Sequence, residues 1–200
     1  MTYVEGQLTA DAEATTQTEE KAFGFWLYLM SDAMIFALLF ATYVVMTVGT
    51  AGGPSGKELF SLPRAFAETM LLLVSSMTFG FANLAGQQKG KGGSLIWLLI
   101  TLALGLGFVA LELQEFVGMI AEGAGPDRSG FLSAFFVLVG THGLHVSVGM
   151  LCIVVMMGQI VVKGLMAPVQ SRLHRLGLFW HFLDIVWIGI FSVVYLPGGL

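Results

Sequence analysis

The chain has 200 residues, of which 56% are hydrophobic and 11% are charged, and its formal net charge is −4. A soluble domain of this length is typically about 45–50% apolar and about 25% charged, so composition favours a protein dissolved in a bilayer. The sequence has no basic stripe, which argues against binding of nucleic acid. Its one cysteine, Cys152, excludes a disulfide framework and a cysteine-based metal site.

The N-terminal segment, residues 1–22, carries an unusual share of the acidic residues. Five of the thirteen acids lie in the first 20 residues: Glu5, Asp11, Glu13, Glu19 and Glu20. The segment lacks the basic start and apolar run of a secretory signal peptide. It therefore predicts an acidic, disordered tail, followed by a membrane domain over residues 23–200.

Five stretches are long and apolar enough to cross about 30 Å of hydrocarbon. They lie near Phe23–Val48, Phe66–Ala85, Leu95–Glu115, Phe131–Val162 and Leu176–Leu196. Loops rich in glycine, proline or polar residues separate them. We therefore predict an all-α integral membrane bundle of five transmembrane helices.

Lysine and arginine distribution predicts the orientation of the chain. With five spans, six basic residues share the side of the N-terminus: Lys21, Lys89, Lys91, Lys163, Arg172 and Arg175. Only three lie on the other side: Lys57, Arg64 and Arg128. The positive-inside rule then places the N-terminus in the cytoplasm and the C-terminus in the periplasm. Tyr195, near the end of the last span, is predicted to anchor that helix at the membrane interface.

Ionisable residues inside the predicted spans need an explanation, because a charge in hydrocarbon is costly. They form a predicted buried polar framework: Asp32, Glu68, Glu112, Glu115, His142, His145, His181 and Asp184. The last three pairs have i, i+3 spacing, which places both members of a pair on one helix face.

Two interpretations of the histidine pairs remain open at this point. Imidazole and carboxylate side chains in a bundle core suit a metal or haem site. They also suit a network of hydrogen bonds and ion pairs between helices. We favour the network, because neither Glu-x-x-His nor His-x-x-x-His occurs in the sequence. Asp32 is either a relay point for protons or a structural hydrogen-bonding group, and we favour the structural role.

Three segments resemble the haem–copper oxidase subunit III family. They are "THGLHVSVG" (Thr141–Gly149), "FWHFLDIVWIGIFSVVYL" (Phe179–Leu196) and "GFWLYLMSDAMIFALLFATY" (Gly24–Tyr43). The third contains Asp32, where the cytochrome c oxidase branch of the family usually has glutamate. The loops "GTAGGPSGKELFSLP" and "GPDRSGFLSAFF", like the five-span count, are similar to the proteobacterial ubiquinol oxidase branch.

The resemblance implies a non-catalytic accessory subunit of a proton-pumping oxidase in a bacterial inner membrane. Such a complex oxidises ubiquinol and reduces oxygen to water. The implied partners are catalytic subunit I, subunits II and IV, and membrane lipids, with bound phospholipid expected. Haems and copper are expected in subunit I, with no catalytic, cofactor-binding or metal-binding residue in this chain. The alternatives are a stand-alone metal or haem enzyme and a transporter that uses Asp32 and the third-span acids.

Overall fold

The computed structural model describes residues 2–52 and 56–198 of the chain. Within these residues the secondary structure is helical, with turns between helices and no strand. The seven α-helices are α1 (Thr2–Met46), α2 (Gly56–Leu59), α3 (Leu62–Gln87), α4 (Lys91–Ala121), α5 (Gly130–Lys163), α6 (Ala167–Ile190) and α7 (Leu196–Gly198). A π-helical turn, Phe191–Tyr195, joins α6 to α7.

Five of these helical segments are long and apolar enough to span a membrane, counted over the described residues. They are Phe23–Met46, Leu62–Gln87, Lys91–Ala121, Gly130–Lys163 and Ala167–Gly198. The predicted all-α bundle of five transmembrane helices is thereby confirmed. Most spans are longer than predicted, because polar residues at their ends continue the helix beyond the apolar stretch.

The chain divides into two compact units, residues 1–35 and 36–200. The first unit consists of the N-terminal part of α1, which continues through the segment for which composition predicts disorder. The described part of that segment contains no proline, so its backbone accepts a helical path. The division at residues 35 and 36 lies inside the first span, and a domain boundary at residue 22 stays a prediction.

In the second unit, short connections with defined turn chemistry join α3, α4, α5 and α6. Pro63 and Pro168 stand in the first turns of α3 and α6, where a missing N–H costs nothing. The Ser129 hydroxyl caps α5 by accepting a hydrogen bond from the Leu132 N–H at 3.2 Å. Gly164 ends α5 at φ +73°, a conformation that favours glycine.

Helices α3 and α6 provide much of the core of the second unit. The indoles of Trp180 and Trp187 on α6 are almost fully buried, as are Phe79 on α3 and Phe108 on α4. Gly177 allows α6 to approach α3, since a Cβ at this position would lie 3.1 Å from the Phe79 ring. Small residues thus bring the two helices close enough for their polar side chains to meet.

Candidate functional site

Most ionisable side chains inside the spans of the second unit fall into two groups. We define the acid cluster as Arg64, Glu68, Glu112, Glu115 and Tyr195. We define the His181 patch as Ser76, Gly80, His181 and Asp184. His142 and His145 lie on α5 and belong to neither group. Asp32 belongs to the first unit, on α1, and its structural role stays a prediction.

The acid cluster lies between the start of α3, the end of α4 and the π-helical turn after α6. Glu68 is fully buried, and its Oε1 lies 3.8 Å from Nε of Arg64 one helical turn earlier. The Arg64 guanidinium also donates to the Leu111 carbonyl at 2.9 Å, which ties the start of α3 to α4. Arg64 therefore lies beside a buried carboxylate and also joins α3 to α4 through a hydrogen bond.

Two acids of α4 complete the carboxyl part of the acid cluster. Glu115 accepts a hydrogen bond from the Tyr195 hydroxyl at 3.1 Å. The Glu112 carboxyl group lies against α5, where a Cβ on Gly143 would come within 2.6 Å of its Oε1. Glu112 interacts electrostatically with both Glu68 and Glu115. The cluster thus gathers three buried carboxyl groups around one guanidinium and one phenol.

The position of Tyr195 differs from the interfacial anchor that its place in the sequence predicts. It is 0% exposed, and its ring packs on Phe60 at a centroid distance of 5.1 Å. The π-helical turn that contains Tyr195 changes the direction of side chains relative to a continuous α-helix. The turn brings the hydroxyl to Glu115, so the prediction of an interfacial anchor was wrong.

The i, i+3 pair on α5 shows two different environments. The His142 ring is fully buried among Trp187, Phe108 and Phe36, with centroid distances of 5.3, 5.9 and 6.3 Å. Neither of its ring nitrogens has a hydrogen-bond partner among the described residues. His145 is less buried, and its Nδ1 lies 2.7 Å from the Thr141 carbonyl oxygen. The predicted network of hydrogen bonds therefore does not include His142 within the described part of the chain.

The His181 patch lies midway along α3 and α6. The His181 Nδ1 lies 2.5 Å from Ser76 Oγ on α3 and 4.0 Å from Oδ2 of Asp184 on its own helix. The predicted i, i+3 pair thus shares a face and meets the neighbouring helix. The two carboxyl oxygens of Asp184 have no hydrogen-bond partner among the described residues. No hydrogen bond reaches His181 Nε2 from the described residues.

Two hydrogen bonds between α3 and α6 were not predicted from the sequence. The Trp187 Nε1 donates to Thr69 Oγ1, and the Trp180 Nε1 donates to Ser75 Oγ, both at 3.1 Å. The spacing of seven residues between the tryptophans places both on one face of α6, and this spacing could have predicted the two hydrogen bonds.

The contact between Arg64 and Glu68 within α3 could also have been predicted, because the two residues have i, i+4 spacing.

The described residues contain no group of three or more histidine, cysteine, aspartate or glutamate side chains arranged to hold a metal ion. Hydrogen bonds from Arg64, Tyr195, Trp180 and Trp187 join adjacent helices, whereas the carboxyl oxygens of Glu68, Glu112 and Asp184 have no hydrogen-bond partner among the described residues. Fold and polar contacts together define the class: a polytopic α-helical membrane protein whose helices are joined by internal polar contacts.

Comparison with known proteins identifies the family. The family described as "Cytochrome c oxidase subunit III" matches residues 3–199. The chain is 56% identical over 178 residues to cytochrome bo(3) ubiquinol oxidase subunit 3 of Pseudomonas aeruginosa, covering 89% of this chain and 85% of that protein. The chain belongs to the cytochrome c oxidase subunit III family, as its histidine and Trp-His motifs predict.

Other relatives are named for different electron donors. Quinol oxidase subunit 3 of Bacillus subtilis is 45% identical over 175 residues, covering 88% of this chain and 86% of that protein. Cytochrome c oxidase subunit 3 of Bacillus sp. PS3 is 41% identical over 203 residues, covering 98% of each chain. The family therefore includes proteins named for quinol and proteins named for cytochrome c.

Proposed function

We propose that this chain is the accessory third subunit of a ubiquinol oxidase in a bacterial inner membrane. The observation that carries the proposal is the 56% identity, over 89% of the chain, to a protein named as that subunit. The relative named for cytochrome c is less similar, at 41% identity. The chain then supports a complex that oxidises ubiquinol, reduces oxygen to water and moves protons across the membrane.

Within this complex the buried polar residues hold the helices of the subunit in register. The acid cluster joins α3, α4 and the π-helical turn, and the tryptophan contacts join α3 to α6. Their partners lie within the same chain, which supports a structural role. The external partners are catalytic subunit I, subunits II and IV, and membrane lipids.

The haems and copper of the complex belong to subunit I, and this chain itself binds no cofactor except phospholipid. In support, the rings of His142, His145 and His181 each lie in a separate setting of aromatic rings, a backbone carbonyl or a hydroxyl group. Metal analysis and an absorption spectrum of the isolated chain test this assignment. Stoichiometric iron or copper would contradict it.

The N-terminus lies in the cytoplasm and the C-terminus in the periplasm. Lys89, Lys91 and Lys163 lie at the α3–α4 and α5–α6 turns, and Arg128 lies at the opposite α4–α5 turn. In a Cys152→Ser background, Lys89→Cys and Arg128→Cys are compared by labelling intact cells with a membrane-impermeant maleimide. Labelling at position 128 alone is expected, and labelling at position 89 alone would reverse the orientation.

Purification tests the central proposal. An affinity tag on this chain, in mild detergent, is expected to recover a haem-containing subunit and ubiquinol-dependent oxygen consumption. An untagged strain is the control for nonspecific recovery. Recovery of the chain alone would refute membership of an oxidase. Oxygen consumption with reduced cytochrome c but not with ubiquinol would assign the chain to the cytochrome c oxidase branch.

A further inference from the structure

The His181 patch lies within the apolar parts of α3 and α6. His181 is five residues inside the apolar stretch Leu176–Leu196, which is about 7.5 Å at 1.5 Å per residue. Ser76 lies near the middle of the span Leu62–Gln87. Since these apolar stretches are long enough to cross about 30 Å of hydrocarbon, both side chains lie on the part of the helix that faces the hydrocarbon or another helix.

Although it lies in this apolar part of α6, the imidazole faces outward from the bundle. The His181 side chain is 44% exposed, whereas the side chain of Asp184 is 7% exposed. Nδ1 is close to Ser76 and Asp184, and Nε2 has no partner among the described residues. The surface around the patch is apolar, with Leu73, Met77, Ile185 and Ile188 exposed on the same two helices. A lipid tail offers no hydrogen bond to Nε2.

Gly80 adds a second, steric observation at the same place. It lies one helical turn after Ser76, and a Cβ built on Gly80 meets nothing within 4 Å. The sequence places Ser76 and Gly80 in a small-xxx-small pair, a pattern that allows close approach of helix backbones. Within the described chain no helix uses that space, as is also the case at Gly92, Gly118 and Gly158; Gly80 differs from these in lying one turn from Ser76, which contacts His181.

From these observations we propose that the His181 patch is the docking site for a transmembrane helix of another oxidase subunit. The partner helix crosses α3 at Ser76 and Gly80 and presents a hydrogen-bonding side chain to His181 Nε2. Polar complementarity identifies the occupant, because an acyl chain leaves the imidazole unsatisfied in hydrocarbon whereas a helix with a polar side chain satisfies it. The proposal rests on the proposed function, since it requires a multisubunit complex.

Three variants test the site in the intact complex. His181→Leu removes the hydrogen-bonding group, Gly80→Leu fills the space beside it, and His181→Gln retains a donor and an acceptor. Recovery of the haem-containing subunit with the tagged chain is expected to fall about five-fold or more in the first two variants and to stay near native for His181→Gln. Gly158→Leu on α5 is the matched control, because a Cβ there also meets nothing within 4 Å.

A photo-crosslinking residue at Met77, which is 59% exposed beside Ser76, gives a readout that is independent of assembly yield. An adduct with another protein subunit is expected. An adduct with lipid alone, or equal recovery from the Gly80→Leu and Gly158→Leu variants, would overturn the docking site. If the native tagged chain recovers no haem protein, the proposed function fails; if it does and the variants behave as native, only the docking site fails.

Discussion

The acid cluster and the His181 patch use the same kinds of side chain in opposite ways. Glu115 in the cluster meets a phenol of the same chain, and Glu68 lies beside a guanidinium. His181 meets its own chain through Nδ1 and turns its other nitrogen outward. The difference teaches that a buried ionisable group in a membrane bundle can hold the subunit together or face another subunit. Exposure and the direction of each polar atom distinguish the two cases.

The largest effect is expected from removing the cation of the acid cluster. Arg64→Leu leaves buried Glu68 without its guanidinium, and breaking such a pair costs about 3 kcal/mol where the pair is mostly buried. We expect a clear drop in the temperature at which this subunit is lost from the solubilised complex. Arg64→Leu combined with Glu68→Leu removes both charges and should recover much of the loss. Native stability of the single variant would show that the cluster does not hold the helices.

The seam between α3 and α6 supports both regions, and Gly177→Leu is expected to disturb it next most strongly. The new side chain collides with the Phe79 ring and the Asn83 amide. Overpacking of this kind costs about 1–3 kcal/mol. Thermal release of the subunit measures the loss, with Gly158→Leu as the steric control. Equal behaviour of the two variants would mean that the close approach of α6 to α3 is not required.

Asp184→Ala tests whether the patch acts in assembly rather than turnover. The variant removes the carboxylate whose Oδ2 lies 4.0 Å from His181 Nδ1, and we expect a cost of about 1–2 kcal/mol, the scale of polar interactions in membrane helices. The yield of assembled complex should fall more than the ubiquinol oxidation rate per haem. Normal yield with lost turnover would instead indicate that Asp184 takes part in the reaction.

A smaller effect is expected when the phenol of the acid cluster loses its hydroxyl. Tyr195→Phe keeps the ring packed on Phe60 but removes the donor to Glu115. The expected cost is about 1 kcal/mol, measured as thermal release of the subunit. Tyr43→Phe is the matched control, because Tyr43 is also buried, in contact with Phe131. Its hydroxyl forms no hydrogen bond within the described residues, so similar losses in both variants would contradict a specific role for the Tyr195–Glu115 bond.

The smallest effect should come from one polar contact of the α3–α6 seam. Trp187→Phe and Thr69→Val, singly and together, form a double-mutant cycle around the bond from the indole to the hydroxyl. The coupling energy is expected to be about 0.6 kcal/mol, the average for such bonds between membrane helices. The cycle removes the contribution of lost ring volume. A coupling energy of zero would make the contact geometrically close but energetically neutral.

The sequence by itself determined the number of spans and the family, because apolar length and the motifs around His142 and His181 are local features. It also located the buried acids, since a carboxylate inside an apolar stretch is conspicuous wherever that stretch folds. The i, i+3 rule correctly placed His181 and Asp184 on one face. All of these inferences depend on neighbours along a single helix.

Only the tertiary structure decided which groups meet across helices and which face outward. The sequence predicted that Tyr195 anchors its helix at the membrane interface. In the structure the π-helical turn brings its hydroxyl to Glu115, 80 residues away in the chain. His142 and His181 look equivalent as sequence motifs, yet one ring is enclosed by aromatic rings and the other is 44% exposed. The physical reason is that helix rotation and close approach depend on packing at distant small residues such as Gly177 and Gly143, which no local pattern reveals.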